Sequence, residues 1–306
     1  MEVIFGLNNV HLKKPTILTV GTFDGVHLGH QNIIKEMVNY SQKYDLLPTL
    51  VTFEPHPKLV VDTVYTVPLQ LLSDMEERLT IFKELGLKLV IVIEFTKEFS
   101  RMGYHYFLEE ILLKKLKAKY IIIGHDHAFG ANREGSYKEL NDLKNAFNFK
   151  LKQVKSIGLN SNIISSSVIR DYIDKGRISI ANKMLGRSYS LSGVVVRGEG
   201  RGKSLLFPTA NIKLDNTKKL IPRIGVYAVN CVIGNKNYRG MANIGYKPTF
   251  GSAEKTIEVH IFDFNKNIYN KKIKLFFLKR LRNEKKFRNQ QELIKQLEVD
   301  KKNSYF

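Results

Sequence analysis

The chain has 306 residues, enough for two domains of roughly 150 that each bury a core, so a single small disordered or disulfide-stapled module is excluded. Forty-nine Lys and Arg against 29 Asp and Glu leave a formal net charge of +20, and 43% apolar residues are ample for a folded protein. That balance favours anionic partners, whether nucleic acid, acidic membrane or phosphorylated small molecules, without choosing among them.

The opening MEVIFGLNNV has neither a basic nor a long apolar segment, so no secretion signal is expected. Apolar runs at 16–20, 47–53, 87–95 and 120–124, with a mixed run at 149–157, predict strands. Segments of helical period lie between them, at 32–43, 74–85, 104–117 and 137–147. This alternation predicts an α/β domain with a mostly parallel sheet and helices on both faces, binding ligands where strands run into helices. After about Gly186 the texture becomes strands and turns, at 191–197, 225–233, 238–244, 256–264 and 272–281, then a helix at 290–299. A small antiparallel barrel with a terminal helix is expected there, with the boundary near LGRSYS, giving domains 1–186 and 187–306. The densest basic stretch, 271–288, has Glu284 as its only acid; it reads as a nucleic-acid patch or, more commonly, as a strand with a solvated face. No apolar run is long enough to span a bilayer, and the lone Cys231 excludes an intrachain disulfide, so a cytoplasmic location is expected. Within AVNCVIG, Cys231 itself reads as a small core residue.

The sharpest motif is ILTVGTFDGVHLGHQNIIKEM, in which a strand meets Gly21, Asp24 and Gly25, then His27 and His30 around Leu28 and Gly29 at a helix start. Two imidazoles three apart share a face of the first turn, where free N–H groups and the helix dipole favour phosphate. In ISSSVIRDYIDKG, Ser165, Ser166 and Ser167 open a helical pattern and Arg170 follows one turn on, a second phosphate-binding arrangement or an ordinary serine cap. In GVVVRGEGRGKSLLFPTANI, Gly198, Gly200 and Gly202 permit a phosphate nest or a hairpin turn. The PTAN turn that follows offers Thr209 and Asn211 as neutral oxygen ligands for a Mg2+ that takes its other ligands from ATP and water. Alternation in TIEVHIFDF sets Ile257, Val259 and Ile261 on one face and Glu258 with His260 on the other, making Glu258 a candidate base or a solvent-facing carboxylate.

These residues bring a resemblance. GTFDGVHLGHQ, VTFEPHP (51–57), IIIGHDHAFGANREG (121–135) and ISSSVIRDYIDKG (164–176) resemble the nucleotidyltransferase half of the prokaryotic bifunctional riboflavin kinase/FMN adenylyltransferase family, also called FAD synthetase. GVYAV, MANIGYKPTF, IEVHIFDF and LRNEKKF resemble its riboflavin kinase half, in the same order. The resemblance implies an α/β plus β architecture: a Rossmann-like nucleotidyltransferase domain with a parallel sheet, then a small antiparallel riboflavin-kinase-like β-barrel with a terminal helix. It implies phosphorylation of riboflavin by ATP to FMN, then transfer of AMP from ATP to FMN, giving FAD and pyrophosphate. His27, His30 and Arg170, with Gly21, Phe23, Asp24, Gly29 and the three serines, would then hold ATP phosphates. Asp126 and Asn132 would position nucleotide or flavin, and His56 would serve there or fix its own loop. In the second half, Gly198, Gly200 and Gly202 would cradle phosphate, Thr209 and Asn211 would hold Mg2+, and Glu258 would take the proton of the riboflavin 5′-hydroxyl. Asn243, Arg282 and Glu284 would shape the flavin and nucleotide sites.

ATP, riboflavin and FMN are the partners so implied; nucleic acid and membrane are not expected, and weak self-association is left open. The sequence departs from the family pattern at His127, where an aromatic residue is common, at RMGYHYF, where an acidic Ser-Pro segment is usual, and at Leu206, where Gly is usual. Two alternatives stand: an enzyme with only one of the activities, motivated by Leu206 and His127, and, from the +20 charge, a basic nucleic-acid-binding protein on this scaffold.

Overall fold

The computed structural model describes residues 1–61, 69–125, 129–131, 134–159, 162–198, 207–249 and 252–305. Asp126, Asn132, Gly200 and Gly202, and the departures His127 and Leu206, lie outside the described residues. The chain divides into two compact units, Met1–Ser166 and Ser167–Phe306.

In the first unit β1 (Glu2–Phe5), β2 (Thr16–Val20), β3 (Leu47–Glu54), β4 (Leu89–Glu94), β5 (Ala118–Ile123) and β6 (Lys150–Gln153) form one sheet in the order β1-β4-β3-β2-β5-β6. Every neighbouring pair is parallel. The helices are α1 (Leu28–Tyr44), α2 (Lys58–Val61), α3 (Met75–Glu84), α4 (Lys97–Ser100), α5 (Tyr104–Tyr106), which continues as a π-helical stretch Phe107–Lys115, and α6 (Tyr137–Leu143). A parallel sheet has to be covered on both faces, and alternate strand residues show how this is done. Leu18, Val51, Ile91 and Ile121 pack with Leu108, Leu112 and Leu140 on one face. Ile17, Leu50, Val90 and Ile122 pack with Ile34, Met37 and Phe82 on the other. The chain passes from β2 outward through β3 to β4, then returns to the opposite side of β2 with β5. The strand order thus reverses beside β2, and its carboxyl end opens at the switch point where such sheets take ligands. A short antiparallel pair, β7 (Gly158–Leu159) with β8 (Asn162–Ile163), precedes α7 (Ser166–Asp174).

The second unit is a closed barrel of β9 (Tyr189–Val196), β10 (Ala210–Leu214), β11 (Gly225–Ile233), β12 (Lys236–Thr249), β13 (Ser252–Ile261) and β14 (Lys272–Arg282), ordered β10-β13-β12-β11-β14-β9. All pairings are antiparallel. Leu191, Val229, Cys231, Ala242, Val259, Leu275 and Phe277 are fully buried, and their alternation along the strands fills the interior. The basic stretch is β14, whose buried Ile273, Leu275 and Phe277 alternate with more exposed neighbours, as a strand with one solvated face should. Helix α8 (Ile178–Leu185) packs against β14 and β9, its Asn182 donating to the Phe277 carbonyl (2.8 Å) and accepting from the Tyr189 N–H (2.7 Å). Helix α9 (Gln290–Ser304) ends the chain.

One expectation changes. PTAN is not a free turn: Asn211 lies on β10, a strand absent from the sequence reading, and pairs with Val196 on one side and Glu258 on the other to close the barrel. Helix α1 begins at Leu28 with His27 as its cap, at the helix start the motif marks, so the helix extends ahead of the periodic segment 32–43.

Two candidate active sites

The first site is built on the turn between β2 and α1. Phe23, Gly25 and Val26 all have positive φ (50°, 80° and 37°); for Phe and β-branched Val this is costly backbone that surrounding contacts must hold. Asp24 supplies them. Its buried carboxylate accepts the N–H groups of Leu72 (3.0 Å) and Ser73 (3.0 Å) and the Ser73 hydroxyl (3.2 Å), while Ser73 Oγ accepts from the Gly25 N–H (2.7 Å). Arg78 of α3, also buried, donates to the Thr22 carbonyl (2.8 Å), to Thr52 Oγ1 (3.2 Å) and to Glu54 (2.6 Å). Sequence reasoning missed Arg78, and nothing in its helical segment distinguishes it from a surface arginine.

The turn delivers His27 to the N-cap of α1, where its Nδ1 accepts the His30 N–H at 3.3 Å. A ring nitrogen that accepts carries no proton, so in the neutral ring the hydrogen sits on Nε2. The two imidazoles stack with centroids 3.6 Å apart and planes 18° off parallel. The buried ring of Phe23 packs against His30, centroids 5.0 Å apart. Gly29 stands against the His27 ring and the Ile164 carbonyl, and Gly21 against the Phe23 ring. Ser166, at the start of α7, donates to the Asp24 carbonyl at 2.9 Å, so the first residue of that helix is fastened to the same turn. Ser165 directly precedes it; Ser167 and Arg170 follow on α7 in the second unit. His56, 8% exposed, accepts the Lys58 N–H through Nδ1 (3.2 Å), which fixes the start of α2. In the loop after β5, Ala131 N–H bonds the Met102 carbonyl (2.9 Å) and Gly130 meets the Tyr104 backbone, so Met102 and Tyr104 of RMGYHYF pack against Gly130 and Ala131.

The second site is a row across the outer face of the barrel. Glu258 on β13 is directly opposite Asn211 of β10 on one side and Asn243 of β12 on the other, and Asn243 is opposite Val226, itself opposite Arg282. Directly opposed residues of antiparallel strands share a face, so a carboxylate is flanked by two amides. Thr209, just before β10, reaches Glu258 Oε2 through its hydroxyl at 3.5 Å. Gly198 leaves β9 against the Asn211 amide; a Cβ there would sit 1.9 Å from Nδ2, so any larger residue requires the Asn211 side chain to move. Glu284 lies against Gly245 of β12. Arg282 spends its donors elsewhere: Nε reaches Asp300 Oδ2 at 2.9 Å and a terminal nitrogen reaches the same oxygen at 2.8 Å, tying β14 to α9. Asp300 is 2% exposed.

Comparison with known proteins gives each half a relative. A family model for FAD synthetase matches residues 10–168, and one for riboflavin kinase matches residues 185–305. The chain is 36% identical over 307 residues to the bifunctional riboflavin kinase/FMN adenylyltransferase of Buchnera aphidicola from Schizaphis graminum, covering 98% of this chain and 96% of that one. This chain belongs to the bifunctional riboflavin kinase/FMN adenylyltransferase family. The protein of that name from Bacillus subtilis is 34% identical, over 94% of this chain and 90% of its own. A solved Streptococcus pneumoniae chain described as a macrolide-efflux protein superposes with a TM-score of 0.92 at 29% identity, over 99% of each chain. Among the described residues no helix is long and apolar enough to cross a membrane. Both domains of a family riboflavin kinase/FMN adenylyltransferase are thus present, in family order.

Proposed function

We propose that this chain makes FAD in two steps, the barrel half phosphorylating riboflavin and the parallel-sheet half transferring AMP to the FMN so formed. The observation that carries the reading is the presence, in one chain, of a stacked histidine pair at the switch point of a parallel sheet and a carboxylate flanked by amides on a barrel wall. Residues 1–186 are assigned to adenylyl transfer and 187–306 to the kinase.

In the kinase step Glu258 accepts the proton of the riboflavin 5′-hydroxyl as that oxygen bonds to the γ-phosphorus of ATP and the bond to the bridging oxygen breaks, releasing ADP. A carboxylate oriented by its neighbours is suited to this, and such help is typically worth ~10² to 10⁴ in rate. The residues here fit Mg2+: Thr209 and Asn211 are hard neutral oxygen donors beside Glu258. When bound, Mg2+ neutralises charge on the transferring phosphate. Gly198 admits the backbone close to that phosphate, with Gly200 and Gly202 following, and Asn243 and Glu284 line the flavin and nucleotide side. Arg282 contributes through its hold on α9.

In the adenylylation step an FMN phosphate oxygen attacks the α-phosphorus of the second ATP and pyrophosphate leaves. No covalent enzyme intermediate is required; what is needed is alignment and stabilisation of charge on the phosphoryl oxygens. His27 and His30 supply ring N–H donors at a helix N-terminus, and Ser165, Ser166, Ser167 and Arg170 supply hydroxyls and a guanidinium. Asp24 and Phe23 hold the turn in shape. His56, Asp126 and Asn132 are assigned to the nucleotide or flavin side.

The test is the product spectrum. Purified protein with riboflavin, ATP and Mg2+ should yield FMN and FAD by chromatography, and FMN with ATP should yield FAD. No phosphorylated or adenylylated flavin from either substrate would eliminate the reading, and conversion of only one would leave a single activity.

A further inference from the structure

Two residues beyond Glu258 on β13, His260 shares its face and lies opposite Met241 of β12. Its ring is 9% exposed, packed against Phe207 (centroids 5.1 Å) and Phe262 (5.6 Å), within reach of a small apolar cluster that also holds Val226 and Leu297. Nδ1 lies 2.8 Å from the carbonyl oxygen of Pro208, the residue directly before Thr209. A carbonyl oxygen only accepts, so His260 is the donor and its hydrogen is on Nδ1. Burial pushes the imidazole below its usual pKa; the Pro208 bond and Asp263 oppose this, and Lys301 of α9 adds to it. The bond to Pro208 holds the ring with its hydrogen on Nδ1.

The bond matters because of where β10 begins. Its ladder with β13 consists of Ala210 opposite Val259 and Asn211 opposite Glu258. Pro208 and Thr209 lie before that ladder, both exposed, and the contact of Thr209 with Glu258 is long at 3.5 Å. A short bond from a buried ring is what anchors the approach to the strand.

We propose that His260 is a positioning residue for the metal and phosphate side of the kinase site, holding the Pro208 carbonyl so that the Thr209 hydroxyl stays beside Glu258. The inference rests on the assignment of Thr209 and Asn211 to Mg2+, and on nothing in the adenylylation half. It predicts a geometric discrimination among substitutions. His260→Asn keeps an N–H on the atom attached to Cγ, where Nδ1 stands; His260→Gln moves the amide one bond outward; His260→Leu removes it.

The experiment titrates the full chain with Mn2+ in the presence of ADP, following bound metal by electron paramagnetic resonance, and measures kcat and KM for Mg·ATP in FMN formation. His260→Leu and His260→Gln should raise the half-saturating Mn2+ concentration and KM by ~10-fold or more, the scale at which residues orienting metal ligands act. His260→Asn should stay within about threefold of the parent for the same reason. FAD formation from FMN should be unchanged in all three. If Leu and Gln bind Mn2+ like the parent, or Asn is as weak as Leu, the proposal is wrong; should the Leu variant not fold, the Asn and Gln pair still decides. Thr209→Ala separates the two readings. Weakened Mn2+ binding there with normal binding in His260→Gln sinks only the role of His260, whereas unchanged binding in Thr209→Ala sinks the metal assignment and this inference with it.

Discussion

Cys231 points into the barrel from β11, fully buried, and loss of water around the thiol pushes its pKa up to about 12. The thiolate, which is the reactive form, is therefore scarce at neutral pH. Iodoacetamide should leave the native protein unmodified by mass spectrometry for as long as denatured protein takes to react fully; rapid native labelling would show the strand to be open. Asp24 makes the opposite case, a buried polar group whose function is to be bonded. Asp24→Ala leaves two backbone N–H groups and a hydroxyl without that acceptor, at about 1–3 kcal/mol for each donor left unsatisfied. The thermal midpoint should fall and FAD formation from FMN should fall with it, while FMN formation from riboflavin below the new midpoint stays near normal. GTFDG shows that an acid stands in the turn between β2 and α1, but its partners Leu72 and Ser73 are 48 and 49 residues away. No local pattern reports such a pairing.

At the scale of elements, α9 is held to the barrel by the Arg282–Asp300 pair, with Gln296 donating to Asp300 at 3.0 Å. Removing one partner of a buried pair strands the other charge, a loss of about 3–5 kcal/mol. Asp300→Ala should lower the denaturant midpoint of the barrel and reduce FMN formation, leaving FAD formation from FMN in place; an unchanged midpoint would mean that α9 is held by its apolar contacts alone. Most elements were legible, because 16–20 and 225–233 are apolar runs bounded by turn residues and coincide with β2 and β11. β1 was not: four residues with no buried position carry no periodic signal, and its place depends on β4 far along the chain. β10 was hidden because ANIKL follows a proline-containing polar segment and becomes a strand only by pairing with β9 and β13. Helix α8 had a readable signal in Ile178, Ala181, Met184 and Leu185 followed by Gly186 in the left-handed conformation, a helical stripe with its C-terminal stop.

For the whole molecule the central prediction is a double dissociation. Glu258→Gln should lower FMN formation by ~10² to 10⁴, the contribution of a general base, with FAD formation from FMN unchanged. His30→Ala should do the reverse, losing ~10² or more as one charge-stabilising donor is removed. Equal loss of both activities in both variants would show that the division of labour is wrong. The class of each half, the order of the halves, the histidine pair at a helix start and the acid on a polar strand face were all determined by the sequence alone. Hydrophobic period, glycine placement and short motifs act over a few residues and can be read without coordinates. Only the tertiary structure decided that Asp24 and Arg282 are braces bonded to distant partners, that Arg78 supports the turn between β2 and α1, and that Asn211 and Asn243 flank Glu258 from two neighbouring strands. Those facts depend on strand register and on contacts between residues tens of positions apart, set by closing the sheet and burying its faces rather than by any local preference.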